Sequence, residues 1–231
     1  MSKVEKKIIK HNGKNISISG YKSDHIYRSI VRRNDFYEKT MLYAISKHLS
    51  KRPIGAIIDG GANIGNHSLF FAMFCPCTKV IAYEPYEPTL EILKKNVADN
   101  NLDKRIDVRP LGLYKDFSGL EVSYFVERNF GATEFVESNN TNATKAVPLD
   151  ADCAGERISC IKLDIQGLEP EALMGSEKIL KEQFPLLVIE AMTKDEYIYL
   201  KKYLGKFDYK VYPASKAREH YNSSATYIFG K

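Results

Sequence analysis

From Asp59 to Ser68 the chain reads Asp-Gly-Gly-Ala-Asn-Ile-Gly-Asn-His-Ser, a run suited to holding a ligand. Gly60, Gly61 and Gly65 permit tight turns and let a ligand approach the backbone with no Cβ in the way. A dinucleotide site wants Gly-x-Gly-x-x-Gly, with the pyrophosphate at the helix that follows. Here the pattern is Asp59-x-Gly61-x-Asn63-x-Gly65, headed by an acid at the end of an apolar run. A carboxylate sits poorly beside a pyrophosphate but well beside an ammonium or a sulfonium. S-adenosylmethionine carries both, and S-adenosylhomocysteine is what remains once its methyl group is gone. Glu84 ends the next apolar run, where a carboxylate can accept hydrogen bonds from both hydroxyls of a ribose. NAD-binding folds share that role, so an NAD-type oxidoreductase stays open on Glu84 alone. The expected cofactor contacts are Asp59, Gly61, Ala62, Asn63, Gly65, Asn66, His67, Ser68, Glu84, Pro85 and Gly112, with Glu38 and Asp164.

Transfer from a sulfonium is a displacement at its methyl carbon. The protein aligns the acceptor and, for a hydroxyl, removes its proton. Alignment supplies about 7–11 kcal/mol in good intramolecular models, and a general base roughly 10²–10⁴-fold. The expected catalytic residues are Asp164, Glu190 and Lys162. Asp164 ends the fourth apolar run and suits a base or an acceptor-orienting group; it also suits a carboxylate at the turn before a helix. Glu190 ends the fifth and reads equally as a solvated acid. Lys162 lies two residues before Asp164 and points the same way off a strand, as a buried ion pair or as a base of lowered pKa.

Further positions have two readings each. Glu38 could reach the amine of the cofactor's methionine portion, while Asp35-x-x-Glu38 also resembles a helix-start capping box. His67 could touch cofactor or acceptor, or pack on the sheet. His220 and Tyr221 suit acceptor contacts or a surface loop. Arg128 to Thr133 could gate the acceptor pocket.

These residues need a frame, and the pattern supplies one. Asn12-Gly13 between alternating runs predicts a hairpin over residues 8–18. Asp35 opens a predicted helix to about Ser50, ended by Pro53. Strands are then expected at 54–58, 79–83, 106–111, 158–163 and 186–189, with helices at 66–74, at 88–100 and from Pro170. Thr193-Lys-Asp-Glu196 predicts a capped helix after the fifth strand. Residues 120–148 read as a β excursion or flexible lid. The chain closes on two β-like runs, Tyr209–Tyr212 and Ala225–Phe229. Alternating strands and helices predict an α/β fold with a mainly parallel sheet and an antiparallel edge hairpin.

The chain has 231 residues, 44% hydrophobic and 27% charged, which suits one globular domain. Within it, residues 1–50 form an expected hairpin and helix cap, 51–231 the core, and residues near 115–150 the excursion. Thirty-four basic against 29 acidic residues leave a net charge of +5, spread along the chain, which gives no nucleic-acid arm. Cys75, Cys77, Cys153 and Cys160 lack paired zinc-ligand spacing and read as free thiols of a cytoplasmic protein. No metal ligand is assigned: acids near the strand ends could hold a divalent cation, but spacing leaves that open. No apolar run approaches a membrane span.

Taken in order, several motifs resemble the FkbM-type family of class I S-adenosylmethionine-dependent methyltransferases. They are Phe36-Tyr-Glu38, Asp59 to Ser68, Tyr83-Glu-Pro85, Lys162-Leu-Asp-Ile-Gln-Gly-Leu-Glu169 and Pro185 to Glu190, and the likeness spans roughly residues 25 to 230. The resemblance implies a Rossmann-like methyltransferase fold with a seven-stranded sheet and O-methylation of a sugar, glycan or other small metabolite. The family usually has Asp-Val-Glu-Gly where this chain has Asp164-Ile-Gln-Gly167. Gln166 donates and accepts hydrogen bonds but takes no proton. Asp-Ile-Gln-Gly is not the Asn/Asp-Pro-Pro-Tyr run that holds an sp² nitrogen, which argues against base methylation. Ribose or protein methylation, or cofactor binding without turnover, remain alternatives.

Overall fold

The computed structural model describes residues 3–212 and 225–231. His220, Tyr221 and the neighbouring Asn222 lie outside the described residues. The chain opens with an antiparallel hairpin, β1 (Val4–His11) and β2 (Lys14–Tyr21), turned at Asn12 and Gly13, both at positive φ. Two helices follow, α1 (His25–Arg33) and α2 (Lys39–Leu49), where one was expected from Asp35. Asp24 caps α1 by accepting from the Tyr27 N–H, and Asn34 ends it in the left-handed region. Asp35 forms no capping box: its carboxylate takes His11 and Lys39 instead, and α2 begins after Glu38.

The core then alternates β3 (Ala56–Gly60), α3 (Asn66–Phe74), β4 (Val80–Tyr83), α4 (Glu87–Asp99) and β5 (Ile106–Arg109). The excursion is an ordered four-stranded sheet: β6 (Gly112–Leu113), β7 (Ser118–Tyr124), β8 (Glu134–Ser138) and β9 (Thr144–Val147), in the order β6-β9-β7-β8. A short α5 (Leu149–Asp152) leads to β10 (Ile158–Leu163), α6 (Glu169–Met174), α7 (Glu177–Glu182) and β11 (Leu186–Ala191). Thr193 caps α8 (Lys194–Gly205), and β12 (Lys210–Val211) and β13 (Ala225–Gly230) complete the main sheet. Glu190 thus lies within its strand, one residue before the end.

The main sheet has seven strands in the order β12-β13-β11-β10-β3-β4-β5, with β13 antiparallel to both neighbours. β3, β4, β10 and β11 are buried on both faces, which is why their sequences run apolar without alternation. Strand order reverses between β3 and β10, and ligands of open parallel sheets bind beyond the strand ends at such a reversal. One face is covered by α2, α3 and α4 and the hairpin, the other by α5 to α8. No helix among the described residues is long and apolar enough to cross a membrane.

Candidate active site

At the reversal, the loops after β3, β4 and β10 and Glu190 of β11 converge on a cavity of about 260 Å³. Gly61 crosses the loop after β10 so closely that a Cβ would collide with the carbonyl of Asp164, and its φ is 71°. Gly65, at φ 88°, faces the end of the Leu93 side chain of α4, and its positive φ is what favours glycine there. The two glycines serve packing between loops and helix as much as ligand approach.

Asp59, Gly65 and Ser68 do not line the cavity. Asp59 is fully buried and is the register partner of Lys162 on the neighbouring strand. The cation it meets is that lysine, 3.0 Å away, and Ser68 donates to its other oxygen at 2.6 Å. Lys162 also donates to the carbonyls of Gly60 and Gly61, each at 3.1 Å, and lies 3.9 Å from Asp164. Burial opposes its charge, but Asp59 and Asp164 outweigh that and hold its pKa above the ordinary lysine value. These acceptors favour the protonated lysine, the opposite of what a base of lowered pKa needs. The buried pair is what the chain builds.

The remaining expected residues do meet at the cavity: Glu38, Gly61, Ala62, Asn63, Asn66, His67, Glu84, Pro85, Gly112, Lys162, Asp164 and Glu190. Glu84 accepts from the N–H of Asn63 at 2.6 Å and of Tyr86 at 2.9 Å, fixing the loop after β3 against the one after β4. Its burial pushes the carboxyl up to about 7. The Asn66 amide bonds both backbone groups of Tyr37, and so seats Glu38 over α3. There the Glu38 carboxylate stands 3.3 Å from His67 Nε2.

At the other end, Asp164 and Glu190 stand on either side of Gln166, whose Nε2 is 2.9 Å from each. Burial raises the Asp164 pKa, but Lys162, Glu190, His67 and Gln166 together bring it below the usual range. Among the described residues no group of three or more histidine, cysteine, aspartate or glutamate side chains converges as a metal site.

Of the roof, sequence reasoning pointed to Arg128 to Thr133 as a gate for the acceptor pocket and missed His25 and Ile26. His25, Ile26 and residues 129–133 close the cavity from above, and Asp24 ties them by accepting from the N–H of Phe130 at 3.1 Å. Phe130 packs against Tyr21 and Tyr86, at centroid distances of 4.7 and 6.4 Å. An aspartate directly before the polar-apolar rhythm of 25–33 was the available signal for the cap, but nothing local announces its second partner.

This strand order and site define a Rossmann-like methyltransferase fold, shared with solved structures. A methyltransferase FkbM from Methylobacillus flagellatus KT superposes with a TM-score of 0.56 at 22% identity, covering 77% of this chain and 44% of that one. An rRNA methylase from Streptococcus thermophilus gives 0.53 at 15% identity, covering 84% and 98%. Residues 59–211 match the model of the methyltransferase FkbM domain, and the chain belongs to that family. Two fungal relatives are methyltransferase sdnD of Sordaria araneosa, 28% identical over 131 residues, and methyltransferase 1 of Beauveria bassiana, 23% identical over 144. The matches cover 56% and 52% of this chain, and 48% and 57% of the relatives, so it spans about half the length of those proteins.

Proposed function

We propose that the chain binds S-adenosylmethionine and transfers its methyl group to a hydroxyl of a saccharide or other small metabolite. The observation that carries this is one cavity with Glu84 at one end and the Asp164–Glu190 pair at the other. The lining fits the cofactor's chemistry. Glu84 has two backbone donors on a carboxylate with about four lone-pair sites, which leaves capacity for ribose hydroxyls. Tyr86, Leu111, Leu113 and Phe130 offer an apolar seat for adenine, and Glu38 beside His67 a polar one for the amino-acid head. When bound, the cofactor supplies the electrophilic methyl.

Asp164 and Glu190 would do the protein's share of the work. Both accept hydrogen bonds, so they suit an acceptor rich in hydroxyl donors. Asp164, kept ionised by Lys162, orients such a hydroxyl and takes its proton as the new carbon–oxygen bond forms. An anionic acceptor, an RNA phosphodiester included, would meet Glu38, Glu84, Asp164 and Glu190. Lys162 in the same lining is already held by acceptors of its own.

Calorimetry with S-adenosylhomocysteine and with NAD tests the cofactor, and labelled S-adenosylmethionine offered with a saccharide panel tests turnover. The expected result is binding of the first ligand only, with label in a saccharide. Tight NAD binding without S-adenosylhomocysteine binding would overturn the reading.

A further inference from the structure

Gln166 stands between the two acids of the acceptor end, and its amide bonds both of them. Its backbone is left-handed at φ 53°, followed by Gly167 at φ 99°, which turns the side chain back between β10 and β11. Nε2 lies 2.9 Å from Asp164 Oδ1 and 2.9 Å from Glu190 Oε2. A primary amide nitrogen carries two hydrogens, one for each carboxylate. Two acids this close with no donor between them repel, and one of them takes up a proton.

The backbone beneath holds both acids in place. Glu169, fully buried, accepts from the N–H of Ile165 at 2.7 Å and of Gly167 at 2.9 Å. Glu196 of α8 accepts from the N–H of Met192 at 2.7 Å, just past Glu190. Among the described residues, the other charged or titratable groups facing this corner are Lys162 on β10, His67 on α3, and Tyr37 and Glu38 before α2.

We infer that Gln166 is the positioning residue of the acceptor end, its amide tying Asp164 to Glu190 and holding the two carboxyl groups at one separation. This rests on the methyltransferase reading for its role, though not for its geometry. A glutamate in its place brings three carboxylates together and donates to neither neighbour unless it is protonated.

The test compares the wild type with Q166E and with the swap Q166E/E190Q, which restores one amide and two carboxylates. Thermal unfolding is followed at pH 5.5 and pH 8, and S-adenosylhomocysteine binding by calorimetry. At pH 8 the Tm of Q166E should fall about 4–8 °C below wild type. The gap should narrow at pH 5.5, where the added acid holds a proton, and the swap should recover most of the loss. A merely space-filling role for Gln166 predicts a deficit that is the same at both pH values and is not rescued by the swap; either result overturns the proposal. If Q166E does not fold at pH 8, folding at pH 5.5 together with a folded swap variant supports it, and failure of both overturns it. Wild-type protein that binds no S-adenosylhomocysteine would sink the cofactor reading, while the pH comparison still decides the bridge.

Discussion

Asp59 and Lys162 illustrate how a residue's chemistry is settled by its neighbour. Each is a charge out of water, and each is matched by the other across the β3–β10 register. Removing one partner of such a pair costs about 3–5 kcal/mol, because the survivor is left as an uncompensated buried charge. K162M should therefore lose about that much in urea unfolding, and D59N/K162M together should lose less than K162M alone. Glu84 and Glu169 give a second expectation at this scale. Burial raises the first to about 7 and the second to about 8. Unfolded, both ionise near the ordinary glutamate value of about 4.3. Between that value and their folded pKa the native state holds protons that the unfolded chain has released, so ligand-free stability falls as pH rises through this window. Urea midpoints measured from pH 5 to pH 8 should decline, and E84Q should flatten the slope below pH 7. E84A should also weaken S-adenosylhomocysteine binding by about tenfold or more, the worth of a charge-assisted hydrogen bond.

Two elements from the first fifty residues hold the site through contacts far along the chain. The hairpin is stitched to α4 by Asn96, which accepts from the N–H of Ser19 and donates to the carbonyls of Ser19 and Ile64. Asn100 repeats the exchange with Ser17. N96A leaves the Ser19 N–H and the carbonyls of Ser19 and Ile64 without this partner, at about 1–3 kcal/mol for each group left unpaired, and should show as a lower Tm with faster hydrogen exchange across β2. Asp24 does for the roof what Asn96 does for the hairpin. D24A should lose about 0.5–2 kcal/mol from its cap and expose residues 125–133 to limited proteolysis. The sequence allowed neither anchor to be read in full. Asp24 stood in a recognisable cap position, yet its second bond reaches 106 residues ahead. The expected helix from Asp35 failed for a related reason: His11, 24 residues earlier, claims the carboxylate that a local cap would have used.

At the scale of the molecule, we propose that the chain folds as one unit, the hairpin, cap, core and excursion sharing boundaries. Apolar side chains of β1, β2, α1 and α2 join those of α3, α4 and the sheet in one continuous cluster. Fluorescence and circular dichroism should then report coincident unfolding transitions, and an early separate loss of residues 1–50 would contradict it.

The sequence by itself determined the strand and helix alternation of the core sheet, the loop from Asp59 to Ser68, and the acids at or near the ends of β4, β10 and β11. These are short-range properties, carried by apolar runs, glycines and the side chain next in line. Tertiary structure decided which groups face one another. Register set Asp59, expected as a cofactor contact, beside Lys162 on the neighbouring strand. The packing of β10 beside β11 put Gln166 between Asp164, two residues back, and Glu190, 24 residues on. The excursion, ambiguous between sheet and lid, became a sheet through pairing of β6, β7, β8 and β9, with Asp24 drawing the turn after β7 over the cavity. Contacts of that kind depend on strand pairing and on the alignment of distant backbone donors, which no local window of residues encodes.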